Sequence, residues 1–349
     1  MSQLTIPNFQ FDEDLREVPE CRQEWEFFLN ALKSELNREA DSAKQLTLLG
    51  YAGSAARILL RLDEAELYLS KALALSRKAP TSIPSIQNLI RLAHVYQWKG
   101  EFEKAHELFG EAKTLIEETE VSESLRATFH QHLGKYYFDQ GYYGRAQAEF
   151  ATALSLRDKI EVPNDQRESS RVALNEALKR WGRSFTDLLI RRAVPSDAEA
   201  IHRAHMTSIQ EVCAKDYSPE EIRAWGHRPF DEKKRLSAIK SDLVLVVEKS
   251  GSIEGYGHIR VLEKEGVRLA HLFGLYLTPN IIGQNLGHAL VDVMIEEAKA
   301  QKVKAVSLES TITAREFYRK MGFSEVGPET TVQVNGVPIR CYQMTMPLH

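Results

Sequence analysis

HLFGLYLTPNIIGQNLGHALVDVMIEEAKAQKVKAVSLESTITAREFYRKMGF, residues 271–323, decides how the rest of the chain is read. HLFGLYL is apolar apart from His271, has the length of a strand and is followed closely by Pro279. Gly283 and Gly287 then flank Gln284, Asn285 and Leu286. From Leu286 the apolar residues recur at helical spacing through Ala289, Leu290, Val293, Met294 and Ala298. A glycine-bearing turn that feeds a helix presents unpaired backbone N–H groups and a positive dipole end, which suits a pyrophosphate. KAVSLES reads as the next buried strand, and ITAREFYRKMGF as a short helix closed by Gly322.

This strand–turn–helix–strand–helix order resembles the GNAT N-acetyltransferase family over roughly residues 188–349. The carrying motifs are the turn Ile282-Gly283-Gln284-Asn285-Leu286-Gly287 and the later FY-x-x-x-GF at Phe317, Tyr318, Gly322 and Phe323. The family writes its turn Q/R-x-x-G-x-G/A. Here Ile282 replaces the Gln/Arg and Asn285 the middle Gly, and Asn tolerates a left-handed conformation better than most residues. The resemblance implies acetyl-CoA as co-substrate and a mixed, mostly antiparallel sheet flanked by helices. Residues implied at the cofactor are Leu275, Tyr276 and Leu277 on the strand, and Ile282 to Gly287 with His288 in the turn.

The resemblance also implies direct transfer to an amine, without an acyl-enzyme, and a tyrosine hydroxyl beside the leaving thiolate. Tyr318 holds that position; its other reading is a packing partner of Phe317. Tyrosine, with a reference pKa of about 10, is a donor at neutral pH. Many relatives have a glutamate base on the strand before the turn, where this chain has His271. His258 on the preceding strand and a water chain remain alternatives, and Glu309 is placed to orient the amine. Tyr217 and Trp225 fall in the helical segment that shapes the acceptor site in the family; as helix-spaced aromatics they also suit a core. Cys213 reads as buried and structural, because direct transfer needs no thiol.

Upstream lies a repeat. LDEAELYLSKALAL, FEKAHELFGEAKTL and YGRAQAEFATALSL align on Ala65, Ala105 and Ala146, with Leu69, Phe109 and Phe150 four residues on and Ala72, Ala112 and Ala153 seven on. LAHVYQWKG and LGKYYFDQG precede the second and third units. The pattern resembles the tetratricopeptide (TPR) repeat, with a period longer than that family's usual 34 or so. We expect an irregular arm at 1–20 and a TPR-like helical domain at 21–182. Its units lie at about 46–79, 86–119 and 127–160, with a capping helix at 166–181. Gly182, Arg183 and Ser184 form a short joint, and a GNAT domain spans 187–349. The first helix of each unit should line a groove, through Ile90, His94, Gln97 and Trp98, then Gln131, Lys135, Phe138 and Asp139. That mixed surface does not indicate a clamp for a C-terminal carboxylate, and it serves partner binding and scaffolding equally well.

Composition narrows the classes. Hydrophobic content of 43% and charged content of 27% are ordinary for a soluble globular chain of 349 residues. A net charge of −4 gives no electrostatic case for nucleic acid. Three well-separated cysteines argue against a disulfide framework and for a reducing compartment. No apolar run nears membrane length, and the acidic N-terminus lacks a signal peptide's features, so cytoplasmic residence is expected. The sequence therefore points to an acetyl-CoA-dependent N-acetyltransferase, using no metal, fused to TPR-like repeats that bind a protein partner or another copy of the chain. The acceptor is an amine on a small molecule, peptide or protein. The rival reading is a non-catalytic coenzyme A sensor or adaptor with the repeats as its output.

Overall fold

The computed structural model describes residues 5–79, 81–183, 188–264 and 267–348. The first residues of the expected arm, Pro80, Ser184 of the joint and the residue numbered 187 lie outside them. The chain divides into two compact units: Met1–Gly141 with Ala153–Glu176, and Tyr142–Thr152 with Ala177–His349.

The first unit opens with two short antiparallel strands, β1 (Phe9–Phe11) and β2 (Glu17–Pro19), where the sequence suggested an irregular arm. Helices follow: α1 (Arg22–Leu36), α2 (Ser42–Ile58), α3 (Leu62–Ser76), α4 (Ile83–Trp98), α5 (Phe102–Glu118), α6 (Glu123–Asp139), α7 (Tyr143–Asp158) and α8 (Asn164–Trp181). Asp41 caps α2 through the Lys44 N–H, and Ser122 caps α6 through that of Leu125. The aligned alanines are fully enclosed, as small residues must be where helices cross closely. Gly53 makes the same approach from α2, since a Cβ there would collide with Leu69.

Five residues before each aligned alanine the backbone turns left-handed: Leu60 (φ 62°), Gly100 (φ 75°) and Gly141 (φ 78°). Glycine holds this conformation without strain, whereas leucine pays roughly 1–2 kcal/mol in Cβ crowding. Leu60 is also largely exposed, so little packing depends on it. Leu60→Gly should therefore stabilise the first unit by about 1 kcal/mol, the relief exceeding glycine's added chain entropy. Urea unfolding followed by helix signal checks this, and a lowered midpoint refutes it.

The second unit contains β3 (Leu188–Arg192), α9 (Ala198–Thr207), α10 (Pro219–Gly226), α11 (Glu232–Ser241), β4 (Leu243–Lys249), β5 (Ser252–Lys264) and β6 (Val267–Leu277). Then come α12 (Leu286–Ala300), β7 (Ala305–Thr311), α13 (Arg315–Lys320), β8 (Ser324–Glu325), β9 (Thr330–Val334) and β10 (Val337–Pro347). The sheet runs β3-β4-β5-β6-β7-β10-β8, with β9 on β10. Its pairs are antiparallel except β6 with β7. Ser218 and Glu221 form a reciprocal capping box on α10, and Asn335-Gly336 turns β9 into β10 with both residues at positive φ. The apolar stripe of α12, including Leu290, Val293 and Met294, packs with Leu245, Leu272 and Leu308. On the other sheet face Ile201 of α9 and Ile239 of α11 cover Val244, Val246 and Tyr256.

The start of α7, the third repeat's second helix, groups with this unit for specific reasons. Ala148 joins the α12 core. Gln147 Nε2 donates to the Ile190 carbonyl at 2.7 Å, and Thr152 Oγ1 accepts from the Arg192 N–H at 2.9 Å. Arg145 Nε meets Glu297 at 2.7 Å, and the Gly144 and Arg145 N–H groups donate to Glu296. Among the described residues, no helix is long and apolar enough to cross a membrane.

Candidate active site

The site forms where β6 leaves β7. Their parallel pairing is Ala270 with Val306, His271 with Ser307 and Leu272 with Leu308. Strand β6 then continues to Leu277, and β7 to Thr311, beyond those pairs. A bulge starts the divergence: His258 pairs with Gly274 and Ile259 with Leu272, leaving Phe273 as the extra residue. The freed segment, Gly274 to Leu277, has backbone groups not taken up by β7, on a strand still anchored by β5. Gly274 permits close packing: a Cβ there would lie 2.9 Å from the Tyr256 hydroxyl and 3.1 Å from the Tyr276 ring.

At the end of that segment Ile282 is extended and half exposed, Gly283 has φ 86°, and Asn285 is left-handed (φ 58°) as the residue preceding α12. The Asn285 side chain does not cap the helix. The first-turn N–H groups of Leu286, Gly287 and His288 are thus left without side-chain acceptors, at the positive end of a 15-residue helix. Gly287 lets the Phe317 ring approach to 3.3 Å of where a Cβ would stand, and His288 meets that ring edge-on at 5.0 Å. An uncapped helix start beside a splayed strand pair fits the pyrophosphate and the extended arm of coenzyme A. Because the Ile282 side chain has no polar group, what this turn offers an anion is its backbone donors.

Tyr318 sits on α13 and is almost fully buried, its ring held edge-on by Phe317 and Phe323 at 5.2 and 5.6 Å. Its hydroxyl makes no hydrogen bond among the described residues. Burial, with a smaller contribution from Tyr256, pushes its pKa above the usual value, keeping it a proton donor. Tyr276 and Tyr256 stack at 5.6 Å on the α9 side, and His205 lies 4.1 Å from Tyr276. Burial, then the charges of Arg228 and Arg235, holds His205 neutral, well below its ordinary pKa.

Beside the bulge, two histidines have different partners. His258 Nε2 meets Asp242 at 2.7 Å, and Arg260 forks onto the same carboxylate at 2.9–3.0 Å. Burial alone would raise the Asp242 pKa, but hydrogen bonds from His258, Arg260 and Ser241 hold it at about 2. The exposed Phe273 ring stacks on His258 at 5.1 Å, with the Arg260 guanidinium 5.0 Å away. His271 has Ser307 Oγ 3.0 Å from Nδ1 and Glu309 Oε2 3.0 Å from Nε2. Both of its ring nitrogens are therefore engaged. Glu309 lies one residue past the last β6–β7 pair, where the strands begin to part, with its side chain 43% exposed. Its pKa is lowered, first by the hydrogen bond from His271.

The structure thus brings together His271, Glu309, the Gly274–Leu277 segment and the α12 turn along one splay, with His258 beside the bulge. Tyr217, expected near the acceptor, has a hydroxyl that donates to the Arg340 carbonyl and accepts from the Ile312 N–H, tying β10 to the β7 loop. Trp225 packs beside it in a buried cluster with Met206, Ile209 and Cys213. Burial pushes the Cys213 thiol up to about 11, leaving it a poor nucleophile. Sequence reasoning missed Asp242, Arg260 and Ser307. The alternation Tyr256, His258, Arg260 along β5 was the available signal for Arg260.

The family of acetyltransferase (GNAT) domains matches residues 213–346. The "TPR repeat-containing protein YpiA" of Bacillus subtilis (strain 168) is 27% identical over 219 residues, which are 61% of this chain and 46% of that protein. The chain therefore spans about half the length of this curated relative. Among solved structures, a GCN5-related N-acetyltransferase of Rhodopseudomonas palustris is 26% identical, with 47% of this chain covering 98% of that one at a TM-score of 0.41. The PaiA N-acetyltransferase of Thermoplasma acidophilum in complex with coenzyme A is 20% identical, covering 47% and 100% at a TM-score of 0.39.

Proposed function

Because the C-terminal part of the chain is a GNAT acetyltransferase domain that follows TPR-like helices, we propose that it transfers acetyl from acetyl-CoA directly to an amine. The observation that carries this reading is the parting of β6 from β7 beside Glu309, with the uncapped start of α12 following the freed β6 segment in the chain. The bound thioester supplies an activated acetyl group. The chain's part is to hold it, to take a proton from the amine and to give one to the leaving sulfur.

The N–H groups of Leu286, Gly287 and His288 bind the pyrophosphate. Backbone groups of Gly274 to Leu277 fix the pantetheine chain and polarise the acyl carbonyl. Glu309 accepts a hydrogen bond from the amine and then its proton. His271, anchored by Ser307, is a positioning residue that aims the carboxylate. This reverses the roles expected for these two residues, because both ring nitrogens of His271 are engaged while the Glu309 carboxylate is partly exposed. The cationic side of the site, Arg228 and Arg235, disfavours an ammonium. The acceptor amine accordingly enters on the Glu309 side. Tyr318 donates to the departing sulfur.

Acetyl-CoA binding by calorimetry together with turnover on panels of amines and peptides tests the reading. Absence of cofactor binding refutes it, and binding without transfer to any acceptor selects the sensor reading instead. Tyr318→Phe removes one oxygen from a well-packed ring, so the fold and cofactor affinity should persist. Turnover should fall by about 10²-fold, the lower end for a general acid. Steady-state kinetics with an unchanged coenzyme A Kd checks it, and wild-type turnover removes the role.

A further inference from the structure

The face shared by α2, α4 and α6 is not open. His94, Gln97, Trp98, Gln131 and Lys135, expected to line a groove, are all buried. The covering element is the chain's own start. Glu17 of β2 reaches between Arg57 of α2, at 2.8 Å, and Lys135 of α6, at 2.9 Å, and all three are over nine-tenths buried. Phe11, the cross-strand partner of Glu17, lies under the Lys135 ammonium at 4.4 Å. Arg57 stacks on Trp98 at 4.4 Å, and Arg16 approaches Asp139 at 3.5 Å. The seat is therefore a carboxylate site made by two cations from different repeats, which the sequence did not reveal. Burial alone would raise the Glu17 pKa, but Arg57 and Lys135 outweigh it and hold the carboxyl ionised.

The arm fills this face incompletely. Among the described residues, His94 Nε2, Gln97 Oε1, Gln131 Nε2 and His132 Nδ1 are buried without hydrogen-bond partners. Buried polar groups left unpaired are costly, so the face has polar capacity that the arm does not satisfy. The arm itself pairs only three residues per strand and leaves Ile6, Phe9 and Val18 exposed. A two-stranded hairpin of that size is marginal without its seat.

We propose that the α2–α4–α6 face is a binding groove for a segment of a partner protein that presents an acidic side chain beside an aromatic one, and that Phe9–Pro19 occupies it in cis as an exchangeable plug. The partner's carboxylate takes the place of Glu17 between Arg57 and Lys135, and its backbone meets the polar groups the arm leaves unpaired. This inference is independent of the acetyltransferase reading.

The test uses the full chain and a fluorescein-labelled peptide of residues 5–20, TIPNFQFDEDLREVPE, read by fluorescence anisotropy. Glu17→Gln weakens the internal plug, so that variant should bind the peptide at least tenfold more tightly than the wild type does. A peptide carrying Glu17→Gln, or one of scrambled order, should bind at least tenfold more weakly. Lys135→Met added to the variant should abolish binding. Equal binding of the Gln peptide, or none to the Glu17→Gln chain, overturns the proposal. Concentration-dependent dimerisation of the variant with no peptide binding also overturns it, making a second copy the occupant. A measurement on the unmodified chain guards against a variant that does not fold. Hydrogen exchange of residues 9–19 should be at least 100-fold faster than that of α4 and α6, and excess unlabelled peptide should accelerate it. An arm that exchanges only with the helices refutes the plug.

Discussion

Glu309→Gln lowers kcat/KM by about 10²–10⁴-fold, the range for loss of a positioned general base, and leaves coenzyme A affinity within about twofold. Glutamine keeps the shape and still accepts from His271, so the loss reports the proton acceptor. His271→Asn should cost less, about tenfold to a hundredfold, and chiefly in kcat, because Glu309 survives but loses its anchor. The pH profile separates the two assignments. The pKa of Glu309 is held below its ordinary value of about 4.5, so its basic form persists through neutral pH and is lost only below that value. A free histidine base would place the acid limb near 6.5. A weakly basic hydrazide acceptor keeps the acceptor's own ionisation out of this window. An acid limb near 6.5 that survives in Glu309→Gln returns the base role to His271. Wild-type turnover by Glu309→Gln removes the carboxylate from the mechanism.

How much of this was legible in the sequence depends on the range of each contact. The repeat was readable because helix crossings recur at fixed spacing and admit only small residues, and Ala65, Ala105 and Ala146 are all enclosed. The turn before α12 was readable as well, since Gly283 and Asn285 are residue types that adopt positive φ. Strand alternation exposed the hairpin at Asn335-Gly336 but not the work of its neighbours. Helix α11 went unread because EKKRLSAIKS is mostly polar and shows the sheet only a narrow apolar edge. The Glu17–Lys135 pair joins residues 118 apart, and nothing in an acidic arm signals that one glutamate will be buried. The 142–152 stretch follows the repeat pattern, yet its polar side chains Arg145, Gln147 and Thr152 bond to β3 and α12. Helix period specifies which face is apolar, whereas partners for buried polar groups are fixed only in three dimensions. The reversal between His271 and Glu309 has the same origin, because strand position alone could not say that Ser307 and Glu309 would engage both ring nitrogens.

Acidification from pH 7.5 to 5 should weaken the first unit, and in the second His205 and Glu296 should act in opposite directions. In the first, burial, then the charge of Arg57, holds His94 well below its ordinary pKa. The neighbouring His132, 4.6 Å from it ring to ring, is lowered to about 3, first by burial and then by Lys135. The residue as a whole is only half-buried, but its Nδ1 is enclosed. A histidine of ordinary pKa near 6.5 in the unfolded chain takes up a proton below that value while the folded one does not, so stability drains away as pH falls from about 6.5 toward 3. For His132 that loss is about 2 kcal/mol by pH 5, with His94 adding to it. Glu17 contributes nothing in this window, because its lowered carboxyl pKa affects stability only below about 4.5. In the second unit His205, held neutral by burial, has the same sign as the histidines of the first, whereas Glu296 has the opposite one. Glu296 is raised to about 7 by burial, against the hydrogen bonds it accepts from the Gly144 and Arg145 N–H groups. Its folded form holds a proton that the unfolded chain releases above about 4.5, so stability falls as pH rises to 7 and returns on acidification. The gain from pH 7.5 to 5 is about 2 kcal/mol. Hydrogen exchange resolved by segment reads the two units separately: α4 and α6 should exchange faster at pH 5 than at 7.5 after correction for intrinsic rates. His94→Gln with His132→Gln should flatten that response, and Glu296→Gln should make α12 lose more protection on acidification than it does in the unmodified chain. Slopes unchanged by those substitutions sink the assignment of the pH response to these three side chains.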